Sequence, residues 1–246
     1  MLVSLAKQLF FIGKLESVVE YILEPLKKNQ NSQVILPCSL HDLAVAQDNS
    51  NYEDIDINTT DSMWLTWWFK FKTGQKIERV YGPDLMKLSL EKSMLYFTQS
   101  KHHFLAADNQ SKKRMEKWLA SYFNTLKYEV SILNRKVSLK KERSILEKVI
   151  NSNPQIIWLG VGSPKQLELA SWLKTHSNKR NPIKIFCVGA AFNFVTGSKI
   201  QAPEWVQKSG LEWLFRLLTE PRRLWKRYLV VIPRYLLKLG VSLLRK

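Results

Sequence analysis

The chain has 246 residues, with 38 Lys or Arg against 21 Asp or Glu, a formal net charge of +17 and a sequence pI near 9.8. Hydrophobic residues make up 45%, which excludes a disordered basic tail and leaves ample material for one α/β domain with or without an appendage. No run approaches the roughly 18–20 apolar residues of a membrane span, so the excess charge calls for an anionic partner: nucleic acid, anionic lipid or a phosphorylated substrate.

In chain order, residues 1–13 are apolar but carry Lys7 and Gln8 and lack a small-residue cleavage site, so no signal peptide is expected. Residues 16–29 read as a helix with Val18, Val19, Ile22, Leu23 and Leu26 on one face. Residues 33–36 are a short strand ended by Pro37, and 48–60 are polar and turn-like. Trp64, Trp67, Trp68 and Phe71 then fall at i, i+3, i+4 and i+7, one aromatic stripe on a helix starting near Asp61, expected to be a buried face. A turn at Tyr81-Gly82-Pro83-Asp84 opens another helix, and 94–97 read as its end or a short apolar element. From there strands and helices alternate: strands at 103–106, 127–133, 155–160 and 183–188, helices at 110–123, 140–151 and 165–175. Such alternation predicts a Rossmann-like, mostly parallel sheet flanked by helices, with ligands at the strands' carboxyl ends.

The charge is uneven. Residues 1–60 carry a net −4, residues 61–209 a net +14 and the segment from Gly210 a net +7. The last segment interleaves Leu, Trp and Tyr with Arg and Lys through to Arg245-Lys246, the composition of an interfacial helix on anionic lipid; a helix packed on the domain with a solvated basic face is the alternative. The chain is therefore divided at 205/206, an α/β core followed by a basic helical C-terminal appendage.

Among local motifs, Gly160-Val161-Gly162-Ser163-Pro164-Lys165-Gln166 joins a buried strand to a helix and suits a phosphate or diphosphate, although it also fits an ordinary tight turn. It is neither a Walker A loop nor a dinucleotide fingerprint. The junction at Cys187-Val188-Gly189-Ala190-Ala191 offers close backbone approach to a ligand or to a helix. Asp61 reads either as a base or as an N-cap. Asp54-Ile55-Asp56 is too common a triplet to mark a metal site and fits acids flanking a short strand, and His102-His103 lacks acidic or Cys partners at ligand spacing. Cys38 and Cys187 make no disulfide framework and fit a reducing cytoplasm. Nucleic-acid binding rests on charge alone, with no recognition motif.

Several segments in order resemble the WecG/TagA/CpsF glycosyltransferase family: Arg79-Val80-Tyr81-Gly82-Pro83-Asp84, Val161-Gly162-Ser163-Pro164-Lys165-Gln166, Val188-Gly189-Ala190-Ala191-Phe192, Ala202-Pro203-x-Trp205, Gly210-Leu211-Glu212-Trp213-Leu214 and Glu220-Pro221-Arg222-Arg223-Leu224-Trp225. The resemblance implies a metal-independent, inverting enzyme. It would move a sugar such as N-acetylmannosamine from a UDP donor to a polyprenyl-diphosphate-linked acceptor, for cell-surface polysaccharide, on the cytoplasmic membrane face. By position, Asp61 matches the family's proposed base; Gly162, Ser163, Lys165, Gln166, Gly189 and Asn193 match the nucleotide-sugar surroundings; Arg79, Arg216, Arg222, Arg223 and Arg227 match diphosphate-binding positions. No cofactor is implied, and self-association is. The pattern departs at Cys38, Ser62, Ala106, Ala107, Leu167, Asn193 and Gln201, mostly where sugar or nucleotide binds. A non-catalytic member that binds lipid-linked intermediates or scaffolds an assembly complex is the alternative.

Overall fold

The computed structural model describes the chain apart from residues 7, 27–28, 48, 97–99 and 245–246, so the last two cations of the expected lipid-facing segment, and position 97, lie outside the described residues. An eight-stranded sheet runs in the order β1-β2-β4-β3-β8-β7-β5-β6, formed by β1 (Leu2–Leu5), β2 (Gln8–Phe11), β3 (Gln33–Cys38), β4 (Ile57–Thr60), β5 (Lys101–Ala106), β6 (Lys127–Ile132), β7 (Ile156–Leu159) and β8 (Lys184–Phe186). Among the described residues only the β1–β2 hairpin is antiparallel; every other pair is parallel. The expected Rossmann-like α/β class with a helical C-terminal appendage is therefore what folds.

Central strands are buried on both sides, and their side chains alternate between two cores. Val34, Leu36, Ile157, Leu159 and Ile185 enter one core, while Ile35, Ile156, Trp158 and Phe186 enter the other. The first core also takes Leu43 of α2 (Leu40–Ala46), Leu65 and Phe69 of α3 (Met63–Thr73), Leu146 of α6 (Leu139–Asn151) and Leu169 of α7 (Lys165–His176). The second takes Val18 of α1 (Leu15–Leu23), Leu85 of α4 (Gly82–Tyr96), Met115 of α5 (Asn109–Tyr122) and Phe192 of α8 (Ala191–Val195). The segments after β3 and β7 thus leave toward one face and the segment after β8 toward the other. That divergence opens a crevice at the carboxyl end of β8, the topological position where open α/β sheets bind ligands.

Four expectations change. The first helix stops at Leu23 because Pro25 forbids helical geometry in the residue before it, so Leu26 lies beyond it. Strand β3 runs through Pro37 to Cys38. Its odd residues face β8, whose pairing ends at Ile35↔Phe186, so the missing Pro37 N–H breaks no ladder bond. Residues 57–60 are no turn but a fully buried strand; Asn58 Nδ2 donates to Gln8 Oε1 (3.2 Å) and Leu9 O (3.1 Å), and Thr60 Oγ1 donates to Glu78 O (3.1 Å). The aromatic stripe faces outward: α3 buries Leu65, Thr66 and Phe69, while Trp64, Trp67 and Phe71 are exposed.

The C-terminal residues form α9 (Glu204–Lys208), α10 (Glu212–Thr219), α11 (Pro221–Lys226), a π-helical turn over Arg227–Val231, and α12 (Ile232–Leu244). The expected 205/206 boundary falls inside α9. Leu224 and Tyr235 are buried, and Tyr235 belongs to the first core, so this appendage is packed on the α/β body. Its α10 has inverted amphipathicity: Glu212 is buried and Arg216 half-buried, while Leu211, Leu214 and Leu218 are exposed. No helix among the described residues is long and apolar enough to cross a membrane.

Candidate active site at the sheet and appendage junction

A cavity of about 300 Å³ lies at the carboxyl ends of β3 and β4, closed on its far side by the appendage. Asp61, Arg79, Arg216 and Arg227 line it, together with Glu212 and an apolar wall that includes Met63, Trp64, Trp213, Ile232 and Leu236. Residues some 150 positions apart in sequence thus converge on one chamber, mixing fixed charge with apolar surface as ligand sites do.

Asp61 follows β4 directly, and its N–H donates to the Cys38 carbonyl (3.0 Å), which pins the backbone. The N-cap of α3 is Ser62, whose Oγ accepts from Leu65 N (3.3 Å). Asp61 is thereby freed from the capping role, and its Oδ1 accepts instead from Gly82 N (3.0 Å) at the start of α4. Burial raises its pKa above the ordinary 3.8, with Glu212 adding to the rise, while Arg79, the Gly82 bond and Arg216 oppose it. Desolvation makes the carboxylate a stronger base than one in water, and the guanidinium groups temper that gain.

Glu212 organises the arginines. Arg79 Nη1 lies 2.6 Å from Glu212 Oε2 and Arg216 Nη1 3.9 Å from Oε1. Arg79 Nε also donates to the Asp61 carbonyl. Aromatic rings back both cations, Tyr81 at 4.1 Å from the Arg79 guanidinium carbon and Phe194 at 5.0 Å from that of Arg216. Arg227 Nη2 donates to Ser39 Oγ (2.9 Å). Arg216 Nε and Arg227 Nε are buried donors with no acceptor among the described residues, and a phosphate oxygen would satisfy such groups. Burial and the Arg227 charge hold His41 on the cavity wall down to about 4, so it is a neutral ring at pH 7.

A second cluster lies in the crevice at β7 and β8. Gly162 and Gly189 both have positive φ, +80° and +51°, and a Cβ on Gly189 would lie 3.4 Å from Gly162 Cα and 3.1 Å from Gln166 Oε1. Only glycine permits this approach of the two loops. Gln166 Nε2 donates to Ser163 Oγ (3.1 Å), and the buried Gln166 Oε1 has no partner among the described residues. Asn193 stands on α8 and accepts from Ser198 Oγ at its Oδ1 (3.2 Å). The clusters are joined through Asp42: its Oδ1 accepts from Ser163 Oγ (3.5 Å), its Oδ2 from Ser39 Oγ (2.6 Å), and Ser39 meets Arg227.

Lys165 is engaged inside the protein. It is buried, and its Nζ donates to Glu142 Oε2, to Asn134 O and to Val137 O (2.6 Å). An ammonium has three protons and all three are engaged, so Lys165 ties α7 to α6 and has none for a nucleotide. Arg222 and Arg223 also lie away from the cavity, exposed on α11, with Arg223 Nε 2.7 Å from Glu220. Among the departures, Ser62 caps α3, Leu167 is core, Cys38 is a buried free thiol, and Gln201 is exposed.

Two further contributors carry weak sequence signals and a third carries none. Asp42 closes a Ser39–Asp42 capping box after a strand, a readable pattern. Glu212 lies inside the Gly210–Leu214 motif, whose pattern gives it no role. Arg135 had no signal: its Nε donates to the Val161 carbonyl, its Nη2 would lie 2.9 Å from a Cβ on Gly162, and burial and Arg223 lower its pKa.

Gly210, at φ +74°, lets the appendage close. A Cβ there would sit 2.6 Å from Trp67 Cη2. Gly210→Ala is expected to cost about 1–2 kcal/mol in urea unfolding, and to raise KM as the cavity wall shifts.

A family model described as "Glycosyl transferase WecG/TagA/CpsF family" matches residues 6–246. Proteins of Staphylococcus aureus strains NCTC 8325, COL and MRSA252, each called N-acetylglucosaminyldiphosphoundecaprenol N-acetyl-beta-D-mannosaminyltransferase, are 29% identical over 102 residues. Those matches cover 41% of this chain and 37% of the length of each relative.

Proposed function

The chain belongs to the WecG/TagA/CpsF glycosyltransferase family, and from that premise we propose that it moves an N-acetylated hexosamine from a UDP-sugar to a polyprenyl-diphosphate-linked sugar. The similar relatives are named for N-acetylmannosamine as the sugar moved and N-acetylglucosaminyl-diphosphoundecaprenol as the acceptor, and this pair is the first choice for donor and acceptor. The observation that carries the reading is the gathering of Asp61 with Arg79, Arg216 and Arg227 in one cavity.

In the proposed step, Asp61 takes the proton of the acceptor hydroxyl as that oxygen attacks the anomeric carbon of the donor. The bond from that carbon to the diphosphate oxygen breaks, configuration inverts, and UDP leaves with the electron pair. Arg79, Arg216 and Arg227 stabilise the charge that develops on the departing diphosphate, taking the part that a divalent cation plays in metal-dependent transferases. The crevice of Gly162, Ser163, Gln166 and Gly189, with Arg135 beside it and Asn193 at its edge, holds the donor. Arg222 is assigned to the anionic membrane surface, along with the outward leucines of α10, while Arg223, paired with Glu220, stands near Arg135. The enzyme would work as a peripheral protein on the cytoplasmic face, where UDP-sugars are made.

The test is UDP release and product formation with a panel of UDP-sugars and a short-chain polyprenyl-diphosphate acceptor, with and without EDTA. Transfer that survives EDTA is expected. Affinity for the lipid diphosphate with no transfer from any donor would instead mark a binding protein.

A further inference from the structure

The outward side of α3 has no function in the proposed reaction. Trp64, Trp67 and Phe71 cover an arc of about 60° at helical spacing, opposite the buried Leu65, Thr66 and Phe69, while Trp68 beside them is half-buried against the first core. Phe71 is 93% exposed, Trp64 53% and Trp67 38%. An apolar face of that kind on a soluble surface marks an interaction site. Lys70 and Lys72 flank the stripe, and residues 62–77 contain three lysines and no acid. Lys72 Nζ stands 4.8 Å from the Trp68 ring centroid.

The stripe continues surfaces already described. Trp64 is also part of the cavity wall, where it shares the opening with the exposed Leu236 of α12. Trp67 packs against Gly210 at the start of the appendage, next to the outward Leu211 that precedes α10 and to Leu214 and Leu218 within it. The cavity mouth is therefore rimmed by exposed apolar groups from both the core and the appendage.

We propose that α3 is a second bilayer-docking element, inserting Trp64, Trp67 and Phe71 at the headgroup level of an anionic phospholipid membrane while Lys70 and Lys72 meet lipid phosphates. The chemistry favours a bilayer: indole and phenyl rings prefer the interface, and the flanking charge complements anionic headgroups. The proposal rests on the reading that the acceptor is lipid-linked, since docking there would turn the cavity mouth toward the membrane and place a lipid-borne sugar beside Asp61.

The experiment is co-sedimentation of the full chain with phosphatidylglycerol/phosphatidylcholine vesicles and with phosphatidylcholine alone. Phe71→Ser is expected to weaken binding to anionic vesicles roughly five- to tenfold, and Phe71→Trp to retain it. Lys70→Glu should weaken binding to the anionic vesicles only. Phe71 is outside the cavity, so Phe71→Ser should turn over a short-chain soluble acceptor at the wild-type rate. Vesicle binding by Phe71→Ser equal to wild type overturns the proposal. So does a wild-type dimer, seen by sedimentation without lipid, that Phe71→Ser dissociates while vesicle binding is unchanged; the face would then belong to a second copy of the chain. A Phe71-dependent vesicle affinity in a protein that transfers no sugar upholds the docking surface and removes the transferase reading.

Discussion

Asp61→Asn is expected to lower kcat by roughly 10²–10⁴, with the melting temperature unchanged or raised. Asparagine keeps an Oδ1 to accept from Gly82 N, and the Arg79 Nε contact goes to the residue 61 carbonyl, so the backbone anchors survive. What disappears is the carboxylate that would receive the hydroxyl proton. The stability half follows from the sign of the shift. Burial raises the pKa of Asp61 in the folded chain, so the fold binds that proton more tightly than the unfolded chain does. Stability is then lost as pH rises through the raised pKa, and at pH 7 the ionised carboxylate carries a burial cost that asparagine lacks. Activity runs the other way: the base works only when ionised, so the acid limb of the kcat profile should lie above the usual Asp range. Wild-type turnover in Asp61→Asn would remove Asp61 as the base, and a large fall in melting temperature would make its role structural.

Lys165→Met should be the most destabilising single change at the site, by about 3–5 kcal/mol, because it strands the Glu142 carboxylate in the interior. In a chain of this size that is on the order of 10 °C in melting temperature. The carboxylate also accepts from Asn134 N (2.5 Å) at Oε1, so Glu142→Gln is the partner of choice: it keeps that acceptor and removes the charge. The double variant Lys165→Met with Glu142→Gln should recover a large part of the loss, and the coupling between the two changes measures the pair. A Lys165→Met protein that melts like wild type but binds UDP poorly would return the lysine to the nucleotide.

Several features are readable in sequence for identifiable reasons. Strand β7 is a continuous apolar run, β5 and β8 end in shorter ones and β6 alternates polar with apolar residues, all between helices with clean periodicity, and the Gly162 and Gly189 loops carry the residues that tight βα junctions need. Strand β4 is not readable that way. Its Asn58, Thr59 and Thr60 look like a turn, and they are stable inside a sheet because Gln8, Leu9 and Glu78, far away in sequence, supply hydrogen bonds. The α3 stripe misleads in the opposite direction: helical spacing groups Trp64, Trp67, Trp68 and Phe71 correctly, but periodicity reports a face, never what the face meets.

The arginines divide in the same way. Charge and motif mark Arg79, Arg216, Arg222, Arg223 and Arg227 alike, whereas the cavity receives only Arg79, Arg216 and Arg227. The selection is made by packing. Tyr235 in the core, Leu224 beneath α11 and Gly210 against Trp67 set the rotation of the appendage helices, turning Glu212 and Arg216 inward and leaving Arg222 and Arg223 outside. By itself, the order of residues determined the α/β class, the family and the positions of its loops, since local pattern and motif need no third dimension. Which lysine is locked to a buried glutamate, which aromatic face meets solvent and which cations share a chamber with Asp61 were decided only by the tertiary structure, because each depends on partners that the chain brings together from more than a dozen residues away.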